Sequence, residues 1–305
     1  MRIIAQLKVR FALLVLWCFV GLVQAEISVT DSTGAVLTLR QPAQRIVSLT
    51  PHLTELLFAI GAGEQLVGTV DYSDYPPAAL KVPRVGAYNS ISFEAIVHLS
   101  PDLVLAWQSG NGDEMITRLR ALGFPVYVDE PDSLEAIGVS LGNLGQLAGT
   151  EREARRAMVA YQQKLLALRR LYSQQRPLSV FYQVWNDPLL TVNGKHLISE
   201  VIKLCGGRNV FASAVPLVPT LSVESVIALN PQAIVVSGEE GQRHEWLKPW
   251  QAWPILDAVK SAHLYFVPAD LLQRHTPRLL EGAELLCQHL DTARQQLLTG
   301  GHRLK

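Results

Sequence analysis

The chain has 305 residues, 49% of them hydrophobic, and its 27 Lys and Arg balance its 27 Asp and Glu. This length suffices for one large domain or for two lobes of ordinary size. The balanced charge excludes a long-range attraction to nucleic acid or to an anionic membrane surface.

Residues 1–25 have the pattern of an export signal. Three basic residues precede a short apolar run, Phe11 to Leu22, and small residues follow it up to Ala25. A membrane-spanning helix needs about 20 apolar residues, which is more than this run offers. We therefore expect cleavage after Ala25 and export of a soluble protein. The alternative is a retained lipid anchor on Cys18, which the bulky Trp17 before it disfavours.

Residues 26–148 are predicted to form an N-terminal lobe in which strands and helices alternate. Such alternation is typical of a parallel, doubly wound sheet and indicates the α/β class. The predicted elements are a hairpin over Glu26–Leu39, strands at Arg45–Leu49 and Leu66–Thr69, a strand ending at Trp107, a strand at Val126–Val128, and helices at Leu53–Ile60, Glu114–Leu122 and Leu134–Ala148.

Residues 149–174 carry a long amphipathic pattern with no Pro to interrupt it. From Thr150 to Tyr172, apolar residues recur at helical spacing, and Thr150 with Glu153 has the sequence of a capping box. At about 1.5 Å per residue the helix would span roughly 35 Å. We predict that it joins two lobes as a rigid backbone.

Residues 175–298 repeat the organisation of the first lobe. Ile91–Ala106 and Leu221–Val236 each contain a Ser before a short helix, an acid in its first turn, a Pro and a buried strand. One repetition at about 130 residues indicates two related lobes and not a solenoid. The remaining predicted elements are a strand at Leu178–Val184, a helix at Lys195–Leu204, a strand at Leu264–Val267, a helix at Arg278–Leu297 and a disordered tail over 299–305.

Cys205 and Cys287 remain after removal of the signal. Two cysteines in an exported protein most simply pair, and two buried thiols are the alternative. A zinc site would need further ligands, which no nearby Cys-x-x-Cys or pair of His supplies. We therefore expect no metal centre.

Residues that follow the predicted strands are mostly aromatic or uncharged. Ligands of open parallel sheets bind outside the carboxyl ends of the strands, so two lobes would place two such edges across a cleft. An aromatic cleft suits a large, planar, partly apolar ligand. We expect the cleft to be lined by Pro51, Tyr72, Tyr88, Trp107, Trp185, Asp270 and Arg274. His52 also stands at a predicted strand end, where a lone histidine is more often an ordinary polar residue than a metal ligand.

The sequence lacks the residue patterns of common enzymes. Ser48 has no flanking Gly-x-Ser-x-Gly, and no glycine-rich phosphate loop is present. Only two histidines, His52 and His275, stand at predicted strand ends. This is weak support for a metal carrier of this architecture, which needs two or three histidine ligands there. We expect a binding protein without a cofactor of its own, and a metal-ion carrier remains an alternative.

The more specific motifs are Ser48-Leu49-Thr50-Pro51 with Thr54-Glu55-Leu56, Tyr72-Ser73-Asp74-Tyr75-Pro76-Pro77, Pro101-Asp102-Leu103-Val104 with Ala106-Trp107, Cys205-Gly206-Gly207, and Asp270 with Arg274 and Thr276-Pro277-Arg278. In these motifs, and over the whole mature chain, the sequence resembles the periplasmic substrate-binding proteins of ABC importers whose two lobes are joined by a rigid helix. Within that family it resembles the members that bind cobalamin. Siderophore and haem binders share the general pattern and are the alternative.

The resemblance implies that Tyr72, Trp107, Asp270 and Arg274 contact a corrinoid, which is the transported ligand. Tyr88 stands where the family often has Trp. Val218 stands where an aromatic residue is also expected. The protein would be a periplasmic monomer, and its two lobes would close only slightly on binding.

The resemblance also implies a bridge between Cys205 and Cys287 and a role for Glu94 and Glu224. Each acid would meet arginines of one subunit of a permease dimer. The presence of these acids has an equally good structural explanation, because a negative charge in the first turn stabilises a helix by about 0.3–1 kcal/mol through the helix dipole.

Overall fold

Two four-stranded parallel sheets form the framework of the molecule, as the alternation of strands and helices predicts. The structure is a computed structural model that describes residues 26–300. The predicted signal peptide and residues 301–305 of the predicted tail lie outside the described residues. In the part of the chain that is described, no helix combines the length and the apolar character that a membrane crossing requires.

The first sheet has the strand order β4-β3-β7-β8. A two-stranded hairpin precedes it, as predicted, and a second small hairpin, β5–β6, follows β4. The strands are β1 Ile27–Thr30, β2 Val36–Leu39, β3 Ile46–Ser48, β4 Leu66–Gly68, β5 Gly86–Ala87, β6 Ser90–Ile91, β7 Leu103–Trp107 and β8 Val126–Asp129, and the helices are α1 Pro51–Ala59, α2 Phe93–Leu99, α3 Gln108–Ala121 and α4 Leu134–Ala148, with 3-10 turns at Gly63–Gln65 and Pro77–Lys81.

Helix α3 begins at Gln108, earlier than the predicted Glu114, because a short first turn follows β7 directly. The two parts of α3 are separated at Gly112, whose φ of +77° lies in the left-handed region that favours glycine. The sequence pattern detected only the second part, which carries the apolar positions.

The long helix is α5, Glu151–Tyr172, and it buries one stripe of side chains. The predicted capping box is wrong. Thr150 precedes the helix, but its side chain accepts no hydrogen bond from the first turn, because its backbone is not in the extended conformation of an N-cap. Glu153 instead pairs with Arg152, with Nη2 and Oε1 2.7 Å apart. The buried stripe consists of Ala154, Tyr161, Leu165 and Leu168.

The second sheet has the order β10-β9-β11-β12, which is the same arrangement as in the first sheet. In each sheet the second strand lies at an edge and the first and third strands are neighbours. Its strands are β9 Leu178–Gln183, β10 Gly207–Asn209, β11 Ala233–Gly238 and β12 Leu264–Pro268, and its helices are α6 Leu197–Leu204, α7 Val223–Leu229, α8 Arg243–Gln251, α9 Asp257–Lys260, α10 Ala269–Leu272 and α11 Leu279–Gly300, with a 3-10 turn at Glu240–Gln242.

Two features of the second lobe differ from the sequence prediction. Strand β10 begins at Gly207. In the sequence, Gly206 and Gly207 follow the predicted helix Lys195–Leu204 and indicate its end, so no strand is predicted there. Helix α11 runs to Gly300, two residues into the predicted tail. The predicted disulfide is confirmed, because Cys205 at the end of α6 is bonded to Cys287 in α11.

Each sheet is covered on both faces, which confirms the doubly wound fold. One apolar core runs from the first lobe through the α5 stripe into the second lobe. The opposite face of each sheet has a separate core of its own. The long helix is therefore packed between the lobes on one side, and the carboxyl ends of the strands are left to form a site.

Candidate functional site

A cavity of about 420 Å³ lies between the two lobes, within the usual size of small-molecule sites. It lies at the carboxyl ends of the strands, where each sheet changes the direction of its strand order. Every residue that was predicted to bind the ligand lines this cavity: Pro51, Tyr72, Tyr88, Trp107, Trp185, Asp270 and Arg274. His52, for which the sequence predicts only a place at a strand end, lines it as well.

The first lobe contributes mainly aromatic side chains. Trp107 ends β7, and its backbone N–H donates to Asn111 Oδ1 at 2.7 Å. The same Asn111 donates through Nδ2 to the carbonyl of Tyr88, so one amide holds both aromatic residues. Tyr72 has a φ of +62° and a side chain that is 72% exposed. The flat faces of the first lobe thus point to the cleft from fixed backbone positions.

The second lobe contributes one aromatic pair and most of the polar groups. Trp185 follows β9, and its ring meets Trp246 edge to face at 5.4 Å between centroids. A Cβ on Gly238 would lie 2.9 Å from the Trp246 ring, so glycine permits this close packing. The sequence pattern predicts no cleft role for Trp246 or for the polar lining residues Ser237, Glu239, Gln242 and Gln273. Trp246 is part of a segment with three Trp within eight residues, 246–253, and this clustering was its one signal in the sequence.

Arg274 is bound to carboxylates of both lobes. Its Nη1 lies 2.8 Å from Glu55 Oε1 and 2.8 Å from Asp74 Oδ1, and its Nη2 lies 2.7 Å from Asp270 Oδ1. Arg278 also reaches Glu55, at 3.2 Å. The resemblance predicted contacts to a ligand for Arg274 and did not predict this ion cluster, because its first-lobe members are far away in the sequence.

Burial shifts the pKa values of Glu55 and Arg274 in this cluster. It raises the pKa of Glu55, although the hydrogen bond from Arg274 acts in the opposite direction. Burial lowers the pKa of Arg274, but hydrogen bonds to Asp74 and Glu55 outweigh it and raise the pKa overall. Arg274 stays charged, and its charge is already compensated by protein carboxylates.

Three ring side chains of the cavity lining form a cluster. His52 lies edge to face with Trp107 at 5.4 Å, and His275 lies 5.7 Å from His52 and 6.3 Å from Trp107, between ring centroids. The sequence placed both histidines at strand ends but could not show that they meet. Within residues 26–300, no group of three or more His, Cys, Asp and Glu could hold a metal ion.

Glu94 and Glu224 do not line the cavity. Each is exposed in the first turn of a short helix, α2 or α7, whose capping Ser accepts a hydrogen bond from the backbone N–H three residues later. Val218 is 41% exposed and also lies outside the cavity lining.

Comparisons with known proteins agree with this geometry. Residues 46–271 match the family model described as periplasmic binding protein. The chain is 37% identical over 265 residues to a vitamin B12-binding protein of Vibrio cholerae, covering 87% of this chain and 95% of that protein.

Solved structures give the same result. The crystal structure of the periplasmic vitamin B12 binding protein BtuF of Vibrio cholerae matches with a TM-score of 0.78 and 37% identity, over 83% of this chain and 98% of that one. A periplasmic heme binding protein from Pseudomonas aeruginosa matches with a TM-score of 0.71 and 26% identity, over 80% and 91%.

Proposed function

The chain belongs to the periplasmic binding protein family, and we propose that it captures cobalamin or a related corrinoid and delivers it to an ABC importer. Relatives at 37% identity are named vitamin B12-binding proteins, over nearly their whole length. Their names describe binding proteins, and we propose capture of the ligand without chemical change.

The observation that carries this proposal is the aromatic lining of the cleft. Tyr72, Tyr88 and Trp107 come from one lobe, and Trp185 comes from the other. Aromatic rings on opposite walls can pack against a flat macrocycle and its apolar edge. The cleft thus favours a large planar ligand over a small, strongly polar one.

Charge favours a corrinoid over haem or a ferric siderophore. Glu239, Asp270 and Arg274 are the charged residues in the lining, and Arg274 is already paired with three carboxylates. Haem carries carboxylates, and many ferric siderophores are anionic, so each would need an available cation in the site. The corrin periphery of cobalamin carries neutral amides, which need only hydrogen bonds, and the charge of its phosphodiester is balanced within the molecule by the cobalt(III) corrin.

We extend the proposal to the place and partner of the protein. Export to the periplasm after removal of residues 1–25 would put the monomeric protein beside the permease dimer of an importer. Glu94 and Glu224 occupy equivalent exposed positions in the two lobes. Two equivalent acids suit a partner with two equivalent subunits, where exposed charges direct docking more than they add affinity.

Calorimetric titration of the purified protein with cyanocobalamin, cobinamide, haemin and a ferric siderophore tests the ligand class. We expect binding of the two corrinoids. Trp107→Ala should weaken binding by about 2 kcal/mol, which is about 30-fold, because it removes a central aromatic face.

Trp253→Ala is the matched control, since Trp253 is a partly exposed Trp outside the cleft lining. It should leave the affinity unchanged. Binding of haemin or the siderophore without binding of either corrinoid would reject the proposal.

A further inference from the structure

Both lobes contribute to the ring cluster of His52, Trp107 and His275. His52 lies in the first turn of α1 and Trp107 ends β7, whereas His275 follows α10 in the second lobe. All three line the cavity. A ligand that contacts this cluster therefore contacts both lobes at once.

Each of the three rings has a buried nitrogen without a hydrogen-bond partner in the described structure. They are His52 Nε2, Trp107 Nε1 and His275 Nδ1. Buried polar atoms of folded proteins are nearly always paired, because an unpaired one loses its hydrogen bonds to water. Three such atoms in one cluster beside a cavity point to a group that is supplied from outside the chain.

Both histidines are held in the neutral form. Burial lowers the pKa of His275 to about 4, and the charge of His196 acts in the same direction. Burial also lowers the pKa of His52, with smaller contributions from His275 and Arg274. A neutral imidazole offers one N–H donor and one acceptor nitrogen, and an indole offers a donor alone.

We propose that His52, Trp107 and His275 recognise a neutral primary carboxamide on the periphery of the ligand and discriminate against a carboxylate in its place. This inference rests on the proposed function and deepens it. The amide oxygen accepts a hydrogen bond from a ring N–H, and the amide N–H donates to an imidazole nitrogen. The three nitrogens are buried in the described structure, and the proposal requires that the rings rotate on binding so that these atoms face the ligand. The terminal ring torsions of His and Trp are broad enough to permit this.

A carboxylate fits this place poorly for two reasons. It has no N–H to donate to an imidazole acceptor, and its charge needs a cation. Arg274 is the charged base of the lining, and its guanidinium is already bonded to Glu55, Asp74 and Asp270. Neutral donors and acceptors without a free cation select amide over acid.

The test compares cyanocobalamin with its isomeric monocarboxylic acids, in each of which one peripheral amide is hydrolysed. Wild type, titrated at pH 7.5, should bind at least one of these acids about tenfold or more weakly than the amide form. In His52→Ala/His275→Ala that preference should fall to within about twofold, as the donor and acceptor nitrogens are lost. Trp107→Phe, which keeps a flat ring and removes the N–H, should change the preference in the same direction.

His244→Ala is the matched control, because His244 is an exposed histidine of the second lobe outside the cavity lining. It should keep the wild-type preference. Thermal unfolding confirms that each variant is folded, and His52→Gln/His275→Gln replaces the alanine pair if that pair does not fold.

Three outcomes distinguish the inference from the proposed function. Equal binding of amide and all acid forms by wild type overturns the inference and leaves corrinoid capture standing. Retention of the preference in the double variant does the same. Failure of wild type to bind any corrinoid overturns both.

Discussion

The two lobes share a framework and differ at the ends of their strands. Each sheet places its second strand at the edge and its third strand beside the first. The repeated segments that begin at Ile91 and Leu221 both fold as a Ser-capped helix, a left-handed residue before Pro, and a central strand. The side chains of the strands are packed in a core on both faces of each sheet. The core therefore restricts which residue types these positions can have.

The strand-end loops have diverged because they are free of that restriction. The first lobe supplies aromatic faces to the cleft, and the second supplies most of its polar groups. The disulfide also belongs to the second lobe, but it lies outside the cavity lining. Two sheets with the same strand order can therefore hold an asymmetric site. The repeated segments predict the fold, and the loops at the strand ends carry the residues of the candidate site.

The lobes are also bridged at two places by arginines. Arg169 in α5 pairs with Glu135 of the first lobe and Glu200 of the second. On the cleft side, Arg274 and Arg278 of the second lobe meet Glu55 of the first. Charged bridges at both places, together with a shared apolar core, favour the small closure that the sequence analysis expected.

The largest expected difference between the lobes lies in the disulfide. Cys205→Ser/Cys287→Ser should lower the free energy of unfolding by about 4 kcal/mol, since the bond closes a long loop of the unfolded chain. Chemical denaturation measures the loss, and reduced wild-type protein is the control. Faster hydrogen exchange in the variant should occur mainly in α6 and α11, which the bond joins. A loss of unfolding free energy below about 1 kcal/mol would contradict the stabilising role of the disulfide.

The next largest effect is expected at the ion pair between Arg274 and Glu55 on the cleft side. Arg274→Gln should lower the free energy of unfolding of the ligand-free protein by about 3 kcal/mol, because it leaves the buried Glu55 with less compensation. The control is Arg243→Gln, whose exposed ion pair with Glu240 should contribute less than about 1 kcal/mol. Equal losses in the two variants would show that the bridge does not join the lobes energetically.

Two buried groups, His275 in the second lobe and Asp129 in the first, should respond oppositely to acid. The pKa of His275 is lowered from 6.5 to about 4, so the unfolded chain binds its proton first as the pH falls, and stability declines between these values. Burial raises the pKa of Asp129 in the first lobe from 3.8 to about 6, so its contribution to stability increases as the pH falls through that range.

Between pH 7 and pH 5 the free energy of unfolding should therefore fall by about 1–2 kcal/mol less in His275→Gln than in wild type. In Asp129→Asn it should fall by more than in wild type. Denaturation at a series of pH values measures both slopes. The exposed His244→Gln is the control and should follow wild type. A His275→Gln slope identical to that of wild type would contradict the buried, neutral state of His275.

The smallest effect in free energy is expected at the proposed docking acids. Glu94→Ala and Glu224→Ala should each lower cobalamin uptake about fivefold and by equal factors, with unchanged binding of the ligand, because the two positions are equivalent and exposed. Uptake into vesicles that contain the importer measures this, and Glu114→Ala, an exposed acid in α3, is the control. Unchanged uptake in the double variant would reject the docking role.

Much of the fold could be predicted because its signals are local. The periodicity of residues 134–148 predicts α4 with its observed bounds, and Pro101 and Pro231 mark the same break in both repeats. Short elements were missed where glycine was interpreted only as the end of a helix, as at Gly207. The capping box was wrong because a matching sequence does not fix the backbone angles of Thr150.

The sequence predicts which residues stand at the ends of strands, and from them a large part of the cleft lining, because parallel strands bring their carboxyl ends to one edge. It predicts no lining role for Trp246, and the contacts between the lining residues depend on tertiary packing. Arg274 pairs with Glu55 across 219 positions, and His52 meets His275 across the cleft. Such pairs leave no local pattern, since they depend on how two separately folded sheets are packed against one helix.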